Sequence, residues 1–206
     1  MIIILGPPGS GKGTQVKNLN KITGRPSFSA GDYLKVYGNT HPEVKKIIDT
    51  GNIIETDEVN QYLTTTGISF GEKVIFDGFP RTKKQLDFFL NYSYNNKDNE
   101  IIYIKDIIEK IFILNVSNEV IEARLLNRYI CNECFTTYNG ENFCCGKKTT
   151  RREDDKAIEI IHNRINNYYK NISIIKDIYK QNNISICEIN GEMSIDSISN
   201  EILNNI

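Results

Sequence analysis

The chain has 206 residues, with 25 Lys and Arg against 26 Asp and Glu for a formal net charge of −1. That length suits one hydrophobic core with insertions and is short for two catalytic domains. The balanced charge excludes a global field that would draw the protein onto nucleic acid or an anionic membrane, and 39% hydrophobic residues in dense runs exclude disorder.

Residues 1–5 are apolar but are interrupted by Gly6, too short for a signal-peptide core or a membrane span, so a cytoplasmic protein is expected; separately, a monomer is expected. Residues 2–5 read as a strand buried on both faces of a parallel sheet. Gly6-Pro7-Pro8-Gly9-Ser10-Gly11-Lys12-Gly13-Thr14 follows and opens a helix over 12–22. Its glycines let successive backbone N–H groups turn in around phosphate oxygens, Lys12 adds a charge, and the helix N-terminus adds its dipole. A turn that merely starts a helix would need neither the lysine nor the preceding strand. Gly13 separates Lys12 from Thr14, so no hydroxyl follows the lysine directly.

Further along, a helix is predicted over 42–50 and a strand over 74–76, closed by Asp77. An acid at the C-terminal edge of a strand stands where α/β sheets bind ligands, and its expected part is to hold waters on Mg²⁺. A helix over 82–90 comes next. Residues 91–110 stay open, because an Asn-rich patch precedes Ile101-Ile102-Tyr103-Ile104, which fits an extra strand or a helix. A strand over 111–116 leads into a helix over 118–130, which Ser117 can cap and on which Arg124 and Arg128 are spaced i, i+4. Residues 131–150 are polar, aromatic and Cys-rich without apolar period, as expected of a small separate lobe. A helix over 156–179 and a weaker strand over 184–189, with Cys187 as a small buried residue, complete the pattern. Strands alternating with helices indicate an α/β fold with a mostly parallel sheet.

Four of the five cysteines, Cys131, Cys134, Cys144 and Cys145, crowd into that lobe, and in a reducing compartment such crowding favours a metal over disulfides. The CxxC turn from Cys131 to Cys134 presents two thiolates to one ion, and four thiolates make a closed tetrahedral site suited to structural zinc. Cys144 and Cys145 are adjacent rather than spaced, so reduced thiols without metal and a disulfide stand as alternatives.

Four segments together resemble the adenylate kinase family across nearly the whole chain: the phosphate loop; Ser29-Ala30-Gly31-Asp32-Tyr33-Leu34-Lys35; Asp77-Gly78-Phe79-Pro80-Arg81-Thr82 with Gln85; and Arg124, Arg128, the cysteine lobe, Arg152-Glu153-Asp154-Asp155 and Arg164. The resemblance implies a phosphate-loop core over 1–29, 60–117 and 156–206 with about five strands. It also implies a monophosphate-binding lobe over 30–59 and a lid over 118–155. It implies Mg²⁺-dependent transfer between ATP and AMP to give ADP, with no nucleic-acid or membrane partner. Gly9, Ser10, Gly11, Lys12, Gly13 and Thr14 would hold ATP phosphates, with Arg128, Thr137, Tyr138 and Met193 around the rest of ATP. Ala30, Lys35, Asn52, Ile53, Ile54, Gly78, Phe79, Pro80, Arg81, Gln85, Arg152 and Arg164 would form the AMP side. Lys12, Arg81, Arg124, Arg152 and Arg164 would converge on the transferred group.

Elementary chemistry agrees, since phosphoryl transfer needs two anions aligned and their charge neutralised, and the AMP phosphate is already an ionised nucleophile. His41 and His162 are then surface or helix residues. Three positions depart from the family pattern: Ala30 replaces Thr, as in the related UMP/CMP kinases; Lys35 replaces Arg; and the step from Arg152 to Arg164 is one residue longer, with Arg151 in reserve. A UMP/CMP kinase is the same-class alternative, and a nucleotide switch would lack the acceptor lobe. A nucleic-acid-binding metal lobe is disfavoured because residues 131–150 carry only Lys147 and Lys148 as basic residues.

Overall fold

The computed structural model describes every residue except Phe135, and every side chain except those of Phe135 and Glu153. Strand β1 (Ile2–Leu5) is buried along its whole length and leads into α1 (Lys12–Thr23). Then come β2 (Ser27–Ser29), α2 (Ala30–Gly38), α3 (Pro42–Asp49) and α4 (Asp57–Ile68). After β3 (Ile75–Asp77) and α5 (Lys83–Asn91), the open segment resolves as an antiparallel hairpin, β4 (Ser93–Asn95) with β5 (Ile101–Tyr103), and a short α6 (Ile104–Ile107). Next are β6 (Lys110–Asn115) and α7 (Asn118–Leu126). The cysteine region is built of short strands: β7 (Arg128–Ile130), β8 (Thr137–Asn139), β9 (Phe143–Cys144), β10 (Lys147–Lys148) and β11 (Thr150–Arg151). A 3-10 turn (Glu153–Asp155), α8 (Ile158–Gln181), β12 (Ile186–Asn190) and α9 (Ile195–Leu203) end the chain.

Five strands form one parallel sheet in the order β12-β6-β1-β3-β2. Alternate residues face opposite layers. Ile3, Phe76, Ile111 and Ile113 pack with Phe89, Ile175 and Tyr179, whereas Ile2, Ile4, Ile75, Phe112 and Leu114 pack with Val16, Leu19, Ile198 and Ile202. Helices on both faces explain why the central strands are continuously apolar. The fifth strand, Ser27–Ser29, buries fully only Phe28 at the sheet edge, so its sequence carries no such run.

Three helices lie outside the sequence expectation. In α4 the buried face includes Asn60 and Thr64 beside Val59 and Leu63, which hides its apolar period; α2 and α9 are short, and each is capped by a serine, Ser29 and Ser194. One expected helix is corrected: residues 118–130 are not continuous. Asn127 ends α7, and Arg128–Ile130 pairs with both β8 and β11, so strand pairing supplied from distant residues takes over. Arg124 and Arg128 therefore do not share a helix face. Ser117 sits at the N-cap without a side-chain cap bond, and Cys187 is half-buried on the edge strand. Among the described residues no helix is long and apolar enough to cross a membrane.

Candidate active site

The phosphate loop leaves the C-terminal end of β1, where Ile4 is paired with Asp77 at the end of β3. Gly9 (φ 79°) and Gly11 (φ 95°) are in the left-handed region, which glycine enters without a Cβ penalty. Gly11 is the N-cap of α1 without a side-chain cap bond, and residues 9–14 line the cleft, so this helix start is available to an anion there. Lys12 folds back over the loop, its Nζ donating to Gly6 O at 2.7 Å, Pro7 O at 2.8 Å and Ser10 Oγ at 3.3 Å. Burial pushes this ammonium down to about 7, against the opposing pull of Asp77. Arg124, from α7, donates to Gly191 O at 3.1 Å and Gly9 O at 3.3 Å and so braces the loop.

At the end of β3, burial raises the Asp77 carboxyl while Lys12 and Arg81 pull it down. Arg81 is anchored by its Nε to Gly78 O. Thr82 caps α5 by accepting from Gln85 N at 3.2 Å, which places Gln85 on the inner face, 2% exposed. Its Oε1 accepts from Arg81 N and its Nε2 donates to Ile54 O, both at 2.8 Å. One N–H and one lone pair of the amide remain for a ligand. Ala30 is buried at the start of α2. Lys35, one turn on, lies 4.0 Å from Asp32, and burial together with Arg152 pushes its ammonium down to about 8.

Two carboxylates gather three arginines. Asp154 takes a two-pronged pair from Arg152 at 2.8 and 2.9 Å, and Asp155 takes one from Arg128 at 2.7 and 2.8 Å. Arg164, from α8, reaches Asp155 Oδ1 at 2.5 Å and Asp154 O at 3.0 Å. Burial would raise Asp154, but Arg152 and Arg164 outweigh it and hold the carboxyl well below its usual range. Burial lowers Arg128 to about 10, which leaves it charged. Arg151 turns instead to Asp155 O and lies outside the cleft, whereas Arg152 and Arg164 both face it. In the sequence Asp154 and Asp155 stand beside only Arg151 and Arg152, so their role in orienting Arg128 and Arg164 carries no local signal.

One cleft of about 1010 Å³ gathers every nucleotide-site residue expected from the sequence. It is lined by residues 9–14, Thr137, Tyr138 and Met193, by Ala30, Lys35, 52–54, 77–81 and Gln85, and by Arg124, Arg128, Arg152 and Arg164. Asp32, Asp154, Asn167 and Tyr168 line it as well. In a chain of net charge −1 this is a local concentration of cations, as two anionic substrates require. His41 stacks on Tyr37 at 3.8 Å and His162 pairs with Glu122 at 2.9 Å; neither lines the cleft.

The four cysteines form a separate cluster in which all Sγ atoms lie within 4.8 Å of one another. Cys145 takes a left-handed φ of 49°, and this bend is how two adjacent residues present both sulfurs to one point. The hydrogen bond with Thr136 lowers the Cys134 thiol to about 6, while hydrogen bonds with Cys134, Cys144 and Cys131 push Cys145 up to about 12. Four crowded sulfurs cannot all be thiolates without a cation between them, so the donor set fits a divalent soft metal.

A glycine loop with its lysine, a second anion pocket at Arg81 and Gln85, and arginines spanning the two define a phosphotransferase of the nucleoside monophosphate kinase class. The adenylate kinase family model matches residues 4–184. Adenylate kinase of Pelagibacter ubique is 30% identical, covering 98% of this chain and 96% of its own. That of Rickettsia rickettsii is 32% identical over the same shares, and that of Petrotoga mobilis 30% over 98% and 95%. The chain belongs to the adenylate kinase family.

Proposed function

We propose that this chain carries out reversible Mg²⁺-dependent phosphoryl transfer between ATP and AMP to give two ADP. The observation that carries the reading is that the phosphate loop and the Arg81–Gln85 pocket open into one cleft bridged by Arg124, Arg128, Arg152 and Arg164. ATP lies with its phosphates on residues 9–14 and its base and ribose toward Thr137, Tyr138 and Met193. AMP lies against Ala30, Asn52, Ile53, Ile54, Gly78, Phe79, Pro80 and Gln85, its phosphate on Arg81 and Lys35. Lys12, Arg81, Arg124, Arg152 and Arg164 neutralise the charge on the transferred group, and Asp154 and Asp155 keep Arg152, Arg128 and Arg164 oriented beforehand. Asp77, beside Lys12, is the residue that would hold Mg²⁺ through its waters, and the ion would supply charge neutralisation of the triphosphate. Residues 30–59 act as the acceptor lobe and 118–155 as the lid over a core of 1–29, 60–117 and 156–206. Cys131, Cys134, Cys144 and Cys145 hold one structural zinc in that lid.

The acceptor is decided by assaying AMP, UMP and CMP side by side. AMP is expected to be preferred, and a preference for UMP or CMP would install the rival reading, which the adenylate kinase names of the relatives disfavour. Gln85→Ala should raise KM for AMP about tenfold and leave KM for ATP nearly unchanged, since a lost amide hydrogen-bond pair on adenine costs about that much; an equal rise in both would argue that Gln85 only supports the fold.

The state of Lys12 adds a proton-linked expectation. With its ammonium lowered to about 7, much of the lysine is neutral at pH 7.5 in the free enzyme, and a triphosphate restores the charge. ATP binding should therefore take up a fraction of a proton, read by calorimetry in buffers of differing ionisation enthalpy. Lys12→Met should abolish that share; the same uptake in both proteins would refute the expectation.

A further inference from the structure

We infer that Asn163 and Asn167 are positioning residues that seat the 50–52 turn of the acceptor lobe against Arg164, and through it set the geometry of the AMP side. The inference rests on the function proposed above. The two asparagines are one turn apart on α8 and so share a face. Asn163 Nδ2 donates to Thr50 O at 2.9 Å and Asn52 Oδ1 at 3.0 Å. Asn167 Nδ2 donates to Gly51 O at 3.1 Å and Asn163 Oδ1 at 3.4 Å. Both N–H donors of each amide are thus in use, and three consecutive residues of the turn are each held.

The turn is shaped for this contact. Gly51 has a φ of +76°, and a Cβ there would stand 2.8 Å from Arg164 Cγ and 3.1 Å from Ile160 O. Only a residue without a side chain lets the turn lie flat on the arginine stem. That same Arg164 is bonded at its other end to Asp155 and to Asp154 O. From the turn the chain runs on to Ile54, whose carbonyl accepts from Gln85. The loop bordering the AMP pocket is therefore pinned at one end by Gln85 and at the other by the asparagine pair. The bonds are neutral and individually weak, so the turn is held by several of them together.

The test is Asn163→Ala/Asn167→Ala in the full chain, with the corresponding Gln pair as rescue. Ala favours helix, so α8 is expected to persist, and no charge is introduced near the phosphates. KM for AMP should rise about tenfold in the Ala pair, as for the loss of three weak hydrogen bonds to the turn that act only indirectly on AMP. KM for ATP should stay within about twofold, and the Gln pair should recover much of the difference because it restores the amide donors. Hydrogen exchange should quicken at the Gly51 and Asn52 amides, which donate to Ile48 O and Ile47 O in this turn. An unchanged KM for AMP, or both KM values rising together, overturns the inference even if Tm falls. If unmodified protein does not phosphorylate AMP, the proposed function fails instead, and the exchange readout, which needs no substrate, still decides whether the asparagines hold the turn.

Discussion

Lys12→Ala should lower turnover by at least about 100-fold in a protein that remains folded, because it removes a charge aimed at the point where phosphate charge develops. The lysine's three partners all lie in residues 6–10, so its loss disturbs the loop locally and leaves the sheet beneath intact. Stability should respond in a defined direction. Burial lowers the folded-state ammonium to about 7, whereas in the unfolded chain it titrates near the ordinary 10.5. Between those values the unfolded state holds a proton that the folded state has released, so the buried lysine carries a stability cost that is full below about pH 7 and is relieved as pH rises across the window. The Ala variant should lack that dependence and be at least as stable as the unmodified protein at pH 7. Near-normal turnover in the variant would remove the phosphate-loop assignment, and a collapse of Tm would show that the lysine is chiefly structural.

If the proposed zinc is bound by the four cysteines, its removal should unfold the segment from 128 to 151. Between residues 131 and 150 only Cys131 and Thr149 are buried among the described residues, and Phe143 is 67% exposed. Hydrophobic burial therefore contributes little there, and the short strands β7 to β11 need a cross-link to persist. A closed tetrahedral metal site supplies one, since its binding free energy becomes folding free energy of the lobe. Protein purified without chelator should carry close to one zinc per chain. Cys131→Ser should lower both metal content and Tm, the latter by about 5–10 °C if a few kcal/mol are lost from a domain of this size. Turnover should also fall, because Arg128 lies on β7 and Thr137 and Tyr138 on β8, directly beside the cluster. Metal-free protein with the same Tm and full activity would be the contrary result.

How much of this was legible beforehand depended on how locally each feature is encoded. The phosphate loop is written in consecutive residues, because a tight turn, a charge and a helix start must lie together along the chain. The buried central strands were equally plain, since contact on both faces leaves no polar alternation. Edge strand β2 and helix α4 were not, because Ser27 and Ser29 flank a single buried Phe28, and Asn60 and Thr64 occupy buried helix positions that an apolar period would have filled.

The sequence by itself determined which chemical groups this protein carries: a phosphate loop, Arg151 and Arg152 beside Asp154 and Asp155, an amide at Gln85 and, in a separate stretch, four thiols close along the chain. It could not determine where those groups point. Arg128 is four residues from Arg124, which on a helix means one shared face, yet pairing of Arg128–Ile130 with Thr137–Asn139 turns it to Asp155 while Arg124 turns to Gly191. The placement of Arg152 and Arg164, and not Arg151, along the cleft, the convergence of Cys144 with Cys145, and the grip of Asn163 and Asn167 on the 50–52 turn likewise arise only in three dimensions. The physical reason is the same in each case: side-chain direction follows from backbone conformation and long-range pairing, whose partners lie many residues away along the chain.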